Sequence, residues 1–253
     1  MRVTFLGTGT SQGIPVIACD CEVCQSTDPL DKRTRSSIMV ETDGNVFVVD
    51  SGPDFRQQML RENVKNIDAI IYTHEHKDHT AGLDDVRAFN FILKKEIEIY
   101  GPQRVLDALK QQYPYIYDNP DYPGLPKINI NKIENKEFVI NGTLIIPIEV
   151  LHYKLPVLGF RFGDFSYITD ANFIAEDEKE KIKGSKVIVL NALRKKEHIS
   201  HFTLQEAVDL MNELNPEEGY LIHMSHQIGT HQEIENELPD NIHLSYDGLQ
   251  VKL

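Results

Sequence analysis

Short apolar runs recur along the chain between turn residues, a pattern typical of a protein rich in β-strands. Runs of β-branched and aromatic residues predict strands over 3–6, 37–42, 46–50, 69–73, 97–100, 143–150, 159–162, 166–169, 187–190, 219–223 and 243–246. The turn sequences at 43–45 and 141–142 predict hairpins. Amphipathic periodicity predicts helices over 54–62, 81–93, 103–112, 175–182, 203–214 and 232–238. Strand meanders interspersed with helices indicate two sheets sandwiched between helices.

One long stretch, residues 113–126, fits neither period. It contains four prolines and four tyrosines, which predicts an irregular surface loop. Long loops of this kind often carry function, so a substrate lid and a solvated excursion remain alternatives. The chain shows no internal repeat and no long linker, and we therefore expect residues 1–253 to form one domain.

Composition and charge narrow the classes of function. The chain has 253 residues and a formal net charge of −13, which argues against a wide nucleic-acid-binding surface. The apolar runs stay far below the roughly 20 residues of a membrane helix. The first residues, MRVTFLGTGTSQG, lack the apolar core of a signal peptide. These features predict a cytoplasmic protein without a membrane partner, and they leave open whether it works as a homodimer.

The cysteines give the first chemical signal. Cys19, Cys21 and Cys24 fall within six residues and are the whole cysteine content of the chain. In a reducing compartment a structural disulfide is disfavoured, and a metal site is the natural alternative. Three thiolates need a fourth ligand to close a tetrahedral zinc site.

A second signal follows the predicted strand over 69–73. The sequence THEHKDH places His74, His76, Asp78 and His79 within six positions. Imidazole nitrogen and carboxylate oxygen together suit Zn, Mn or Fe. Alternating spacing does not aim all four side chains at one ion, so two adjacent ions are the economical interpretation.

This motif resembles the H-x-H-x-D-H signature of the metallo-β-lactamase superfamily, and the resemblance extends over nearly the whole chain. It implies an αββα sandwich with two mixed sheets flanked by helices. It also implies two divalent catalytic metals, Zn or Mn. One would be held by His74, His76 and His152 and the other by Asp78, His79 and His223, with Asp170 bridging both. Asp50, at the end of another apolar strand, is our candidate to hydrogen-bond a ligand histidine.

The cysteine cluster resembles that of the PhnP-type phosphodiesterases, which act on phosphoribosyl cyclic phosphate and use a late histidine as fourth ligand. By that resemblance His226, three residues after His223, would complete a structural zinc site with Cys19, Cys21 and Cys24. The cysteine cluster and the GPDFRQ segment also resemble the coenzyme-PQQ biosynthesis B proteins.

A third group of histidines precedes the predicted helix over 203–214. Phosphodiesterases of this superfamily place a proton-donating histidine before a similar helix, and His201 matches that position. His198 would bind phosphate or tune His201. The alternative for both is a helix-capping segment with exposed histidines.

These residues predict a metal-dependent phosphodiesterase acting on a small phosphate ester, with a metal-activated hydroxide as nucleophile. The resemblance to the PhnP-type enzymes implies a cyclic, phosphoribosyl-type substrate. His201 and Asp78 are the expected catalytic residues. The alternatives are a tRNA 3′-processing-type endonuclease, a lactonase or β-lactamase, and a non-catalytic accessory metalloprotein resembling coenzyme-PQQ biosynthesis B. The net charge of −13 weighs against the nuclease, and the lactonase chemistry has no need of His201.

Overall fold

The computed structural model describes residues 1–118 and 123–253. Its strands form two sheets that enclose a common core. The strands are β1 (Arg2–Gly7), β2 (Ser37–Thr42), β3 (Asn45–Val49), β4 (Ala69–Ile71), β5 (Ile97–Gly101), β6 (Ile128–Lys132), β7 (Phe138–Ile140), β8 (Thr143–His152), β9 (Leu155–Phe162), β10 (Phe165–Tyr167), β11 (Phe173–Ile174), β12 (Val187–Asn191), β13 (Glu218–Ile222), β14 (Ile242–Leu244) and β15 (Gln250–Lys252).

The helices are short and connect or cover these strands. They are α1 (Glu22–Gln25), α2 (Phe55–Arg61), α3 (Lys77–Thr80), α4 (Arg87–Leu93), α5 (Gln103–Gln112), α6 (Pro114–Asp118), α7 (Glu176–Ile182), α8 (Leu204–Leu214) and α9 (His231–Glu235), with 3₁₀ turns at Pro29–Asp31 and Leu83–Val86. Local chemistry sets the ends of α8. Thr203 and Glu206 form a reciprocal capping box at its start, and Asn215 ends it in the left-handed conformation.

Parallel pairing brings the ends of several strands together at one edge of each sheet. The first sheet has the order β15-β1-β2-β3-β4-β5-β6, and β3 to β6 pair in parallel. The second has the order β11-β8-β9-β10-β12-β13-β14, with β7 added beside β8 and with β10, β12, β13 and β14 parallel. Parallel strands end at a common edge, where side chains following several strands can meet.

Three apolar clusters pack the two sheets against each other and the helices against the sheets. Phe47 and Ile71 of the first sheet share a buried cluster with Phe160 and Val189 of the second. A second cluster packs α8 against the outer face of the second sheet, and a third packs α2, α4 and α5 against the first sheet. The predicted αββα sandwich is confirmed, and so are the hairpins at 43–45 and 141–142.

The predicted helix over 81–93 is wrong in its first half. A 3₁₀ turn at Leu83–Val86 precedes α4, and the short α3 comes before both. Gly82 explains the break, since a Cβ there would lie 2.2 Å from the carbonyl oxygen of Gly52. The Gly82 N–H also donates to the Ser51 carbonyl oxygen at 2.8 Å, so the path of the chain follows that contact rather than helical periodicity.

Several short strands were not predicted. β6, β7, β11 and β15 have two to five residues each, and all lie at sheet edges or beside a single partner. Such segments bury little of one face, so their hydrophobic pattern is weak.

Part of the predicted loop over 113–126 is helical. Pro114 opens α6, a favourable first position for proline, and the Tyr113 hydroxyl donates to the Thr80 carbonyl oxygen at 3.1 Å. Residues 119–122 lie outside the described residues, so the choice between lid and excursion stays a prediction. No helix among the described residues is both long and apolar enough to cross a membrane.

Candidate active site

The THEHKDH segment lies between β4 and α3 and turns sharply at the edge of the first sheet. His74 and His79 are fully buried, whereas His76 is exposed at the start of α3. The ring centroids of His74 and His76 lie 4.5 Å apart, and those of His74 and His79 lie 4.3 Å apart. The local fold therefore brings together the three histidines that the motif predicted as ligands.

The second sheet contributes Asp170 and His223, which lie beside His79 of the motif. Asp170 follows β10, and its Oδ2 lies 3.2 Å from Nε2 of His79 and 3.3 Å from Nδ1 of His223. Asp78 Oδ2 lies 3.2 Å from the same His79 nitrogen. One ligand atom from each of Asp78, His79, Asp170 and His223 falls within 4.8 Å of the others.

A further cluster extends from Asp170 in the other direction. His152, Asp170 and His201 also offer ligand atoms within 4.8 Å of one another. The His152 ring centroid lies 5.1 Å from that of His76 and 5.8 Å from that of His74. Asp170 thus belongs to both groups, which we call the N/O clusters. His74 and His76 are in neither N/O cluster, but their rings lie beside that of His152.

Strained backbone marks several of these positions. Asp50, Asp170 and His223 have φ of 65°, 55° and 61°, in the left-handed region that non-glycine residues seldom occupy. Each one directly follows a strand or lies close to its end. Strain of this kind persists only where surrounding contacts impose it, and it concentrates at functional sites.

Asp50 lies at the buried side of the site, where it contacts His79 and Thr73. Its fully buried carboxylate lies 2.7 Å from Nδ1 of His79 and accepts hydrogen bonds from the Thr73 N–H at 2.9 Å and the Thr73 hydroxyl at 2.8 Å. Burial raises the pKa of Asp50, and the charge on His79 opposes that rise. A carboxylate on Nδ1 directs Nε2 of His79 away from it, toward Asp78 and Asp170.

The pKa values of the buried histidines are shifted in opposite directions. Burial lowers the pKa of His74 well below its ordinary value and that of His223 to about 4. Burial acts on His79 too, but the carboxylates of Asp78 and Asp170 outweigh it and hold its pKa well above the usual range. Positive charge in the site stabilises the carboxylates of Asp78 and Asp170, and either a proton or a metal ion can supply that charge.

The donor set fits divalent metal ions. Nε2 of His74 is buried and has no hydrogen-bond partner within the part of the chain that the structure describes. Nε2 of His79 is buried beside carboxylate oxygens of Asp78 and Asp170 but is not well aligned for a hydrogen bond to either. A buried polar atom without a partner is costly, and coordination to a cation removes that cost. Imidazole nitrogens with carboxylate oxygens suit Zn²⁺ or Mn²⁺.

The cysteines form a separate cluster with His226. Its Nδ1 lies 3.3 Å from Sγ of Cys19, 3.2 Å from Sγ of Cys21 and 3.6 Å from Sγ of Cys24. A hydrogen bond from the Cys24 N–H leads the effects that lower the pKa of Cys21 to about 6, whereas burial raises that of Cys24 to about 11. These four side chains match the ligand set of a closed zinc site.

The histidine pair before α8 lies at the second N/O cluster, of which His201 is a member. His201 is buried, and its Nε2 lies 3.2 Å from Oδ1 of Asp170. Its Nδ1 lies 3.2 Å from Nδ1 of His198 and 3.0 Å from the Ser200 hydroxyl. Burial lowers the pKa of His198, and the charges of His201 and Arg194 add to that effect.

Comparison with known proteins assigns the family. Residues 45–224 match the model of the beta-lactamase superfamily domain. The chain belongs to the beta-lactamase superfamily. Among solved structures of the superfamily fold, a diphosphatase of the PhnP family is 38% identical, with a TM-score of 0.93 and coverage of 100% of this chain and 97% of that one. The resemblance to the metallo-β-lactamase superfamily and to its PhnP-type members is confirmed.

Two other relatives broaden the picture. A protein named octanoyltransferase from Porphyromonas gingivalis is 39% identical over 254 residues, which is 99% of this chain and 51% of that protein. The chain therefore spans about half the length of that relative. The zinc-bound PqqB structure from Methylobacterium extorquens has a TM-score of 0.79 over 100% of both chains at 18% identity, a likeness of fold alone.

Sequence reasoning missed several residues that hold the superfamily site in place. The hydroxyls of Thr10 and Ser36 lie 3.1 and 3.2 Å from Nε2 and Nδ1 of His223. Arg104 Nε lies 3.1 Å from Oε2 of Glu75, between the first two motif histidines. Thr10 carried a local signal because it lies in the glycine-rich segment after β1, and Glu75 carried one because it lies within the motif. Ser36 carried none.

Proposed function

We propose that this chain is a metal-dependent phosphodiesterase that hydrolyses a small phosphodiester. The observation that carries the proposal is the position of His201, with Nε2 3.2 Å from the Asp170 carboxylate shared by both N/O clusters. A histidine at the rim of a metal-binding site is placed to give a proton to a leaving oxygen.

In this proposal two divalent ions, Zn²⁺ or Mn²⁺, would be held by the nitrogen and oxygen ligands of the site. His74, His76 and His152, whose rings lie side by side, would hold one ion, Asp78, His79 and His223 would hold the other, and Asp170 is the carboxylate shared by the two N/O clusters. When bound, such ions neutralise charge on the phosphoryl oxygens and acidify a water molecule for attack. A third ion, Zn²⁺, closes the cluster of Cys19, Cys21, Cys24 and His226 and has a structural role.

The chain's own residues then have distinct roles. Asp50 keeps Nε2 of His79 directed into the site through its 2.7 Å contact with Nδ1. Protonated His201 would give its Nε2 proton to the leaving oxygen as the bond between phosphorus and that oxygen breaks. The attacking water, after losing one proton to solvent, would form the new bond from oxygen to phosphorus. His198, 3.2 Å from the other ring nitrogen, is a positioning residue for His201.

A diphosphate ester is the second candidate substrate. The solved relative at 38% identity is a diphosphatase, which favours a phosphorus–oxygen–phosphorus linkage. A departing phosphate needs less protonation than an alkoxide, so His201 would matter less for that substrate. The name octanoyltransferase belongs to a relative about twice as long and is not extended to this chain.

The test is a screen of metal-loaded protein against cyclic phosphodiesters, linear phosphodiesters and diphosphate esters. We expect His201→Ala to keep its metal content and to lose about 10²–10⁴-fold in turnover on alkyl esters, with a smaller loss on bis(p-nitrophenyl) phosphate. Lys196→Ala, an exposed cation on the same segment, is the matched control.

Three results would count against the proposal. Equal losses on good and poor leaving groups would remove His201 from the acid role. Inertness of fully loaded protein toward every phosphoester would favour an accessory metalloprotein instead. Retardation of tRNA by the purified protein would favour the endonuclease alternative.

A further inference from the structure

We propose that Tyr153, Phe173 and Ile199 form a rim that binds an apolar, planar group on the leaving alcohol of the substrate. This inference rests on the proposed phosphodiesterase function and specifies its substrate class. We call these three side chains the apolar rim.

The members of the apolar rim are exposed although they are large and hydrophobic. Tyr153 is 48% exposed, Phe173 52% and Ile199 67%. Each comes from a different segment that carries a site residue, since Tyr153 follows His152 directly and Ile199 precedes His201 by two positions. Large exposed apolar side chains on segments that carry site residues are typical of a ligand-binding surface.

Hydrogen bonds hold two of these segments together. The Tyr153 N–H donates to Oδ1 of Asn172 at 2.6 Å, and Asn172 is the neighbour of Phe173 in the chain. Phe173 itself pairs with Leu151, two residues before Tyr153. The turn after β8 and the start of β11 therefore lie side by side.

The third segment is joined to the same turn through the site. Nδ1 of His152 donates to the Ser200 carbonyl oxygen at 2.8 Å, and Ser200 follows Ile199 directly. In addition, the Phe202 N–H donates to the Ala171 carbonyl oxygen at 2.8 Å. Hydrogen bonds among these three segments therefore place the members of the apolar rim on neighbouring parts of the chain, next to the site residues His152 and His201.

Tyr153 adopts a left-handed backbone conformation in a hairpin turn. It lies in the two-residue turn between β8 and β9 with φ of 59°, where glycine is the residue without steric cost. The turn needs a positive φ but no aromatic side chain, so the turn alone does not account for an exposed ring at this position. Lys154 Nζ lies 5.2 Å from the centroid of its ring, so the ring already presents a face to a cation.

The position of the apolar rim determines which part of the substrate it meets. Ile199 lies between His198 and His201, and the segment is bonded to His152. His201 is the proposed proton donor to the leaving oxygen, so the group attached to that oxygen leaves on this side. The leaving alcohol, rather than the retained ester group, therefore contacts the apolar rim.

The experiment compares dibenzyl phosphate with diethyl phosphate as ligands of the metal-loaded protein. Their alcohols have similar acidity and differ in the planar apolar group, and both diesters are symmetrical. Dissociation constants come from calorimetry, with inhibition of bis(p-nitrophenyl) phosphate hydrolysis as a second readout. We expect the wild type to prefer dibenzyl phosphate by about tenfold, as the burial of an aromatic ring predicts.

The variants locate that preference. Tyr153→Ser and Ile199→Ser should each reduce the preference to about threefold or less, while Tyr153→Phe should retain it because the ring face remains. Val139→Ser removes a similarly exposed apolar side chain from β7 and should leave the preference unchanged.

The outcomes separate this inference from the proposed function. An unchanged preference in Tyr153→Ser and Ile199→Ser, or no preference in the wild type, would overturn the apolar rim even if the protein hydrolyses diesters. A preference that depends on both residues supports the apolar rim as a binding surface. Absence of any turnover alongside it would contradict only the phosphodiesterase proposal.

Discussion

The N/O clusters and the cysteine cluster are organised in opposite ways. His74, His79, Asp170 and His223 are buried and come from both sheets. Asp50 accepts a hydrogen bond from His79, and the hydroxyls of Ser36 and Thr10 contact His223. The cysteines come from one six-residue segment and are closed by the half-buried His226. The fold itself arranges the first set of ligands, whereas we infer that metal binding helps to order the second.

The two regions are nevertheless connected through the chain. His223 and His226 follow β13, separated by Met224 and Ser225. The Thr10 N–H donates to the Met224 carbonyl oxygen at 2.9 Å, which joins the segment after β1 to this strand end. A metal ion at the cysteine cluster would reinforce that connection and so help to hold His223.

The largest expected effect comes from removing a ligand of the cysteine cluster. Cys21→Ser should lose the structural zinc, because a closed tetrahedral site needs all four ligands. We expect the melting temperature to fall by roughly 5 °C or more, since each 1 kcal/mol shifts it by about 2–4 °C in a chain of this size. Metal affinity at the His79 and His223 cluster should fall as well, as measured by chelator competition.

Glu22→Gln, an exposed change in the same segment, is the control for this experiment. If Cys21→Ser kept full catalytic-metal affinity and turnover, the cysteine cluster would be a remote stabilising site and the coupling would be wrong.

A smaller effect is expected on the N/O side from Asp50→Asn. Loss of the charge beside Nδ1 of His79 should reduce metal affinity by about 10–100-fold, the usual cost of losing a residue that orients a ligand. The fold should persist, because the side chain keeps its size. Metal titration of Asp50→Asn beside Asp43→Asn, a turn carboxylate far from the site, measures it. Equal affinities in the two variants would mean that Asp50 does not orient His79.

The smallest effect is a dependence on pH. Nearby carboxylates raise the pKa of His79 above its unfolded value near ~6.5. In metal-free protein, the stability from this proton is fully present below pH ~6.5 and is lost as pH rises through the folded pKa. A bound metal ion displaces the proton, so metal-loaded protein should not show that loss.

Denaturant unfolding with and without metal, at several values between about pH 6 and about pH 9, provides the measurement. Metal affinity should rise by up to about tenfold per pH unit below the pKa of His79, as expected when one proton is displaced. His74 and His223, whose pKa values are lowered, contribute the opposite slope, so the comparison is with His79→Gln. A metal-free His79→Gln variant with the same pH dependence as the wild type would contradict the assigned charge of His79.

Sequence alone predicted the parts of the site that are encoded locally. The spacing of His74, His76, Asp78 and His79 is visible in six residues, and the sandwich followed from the strand and helix periods. Contacts between distant segments were not visible in the same way. Ser36 reaches His223 across 187 positions, and Gly82 interrupts a predicted helix because of its packing against Gly52. Such contacts depend on how the sheets assemble rather than on local pattern.

Elemental analysis of fully loaded protein, before and after dialysis against a chelator, tests the central claim most directly. The account predicts three metal ions per chain, with two at the N/O clusters and a zinc ion at the cysteines. In Cys21→Ser the zinc should be missing from the same analysis. A single tightly held metal ion in the loaded wild type, or a cysteine-bound zinc that survives Cys21→Ser, would contradict the assignment of two centres with different chemistry.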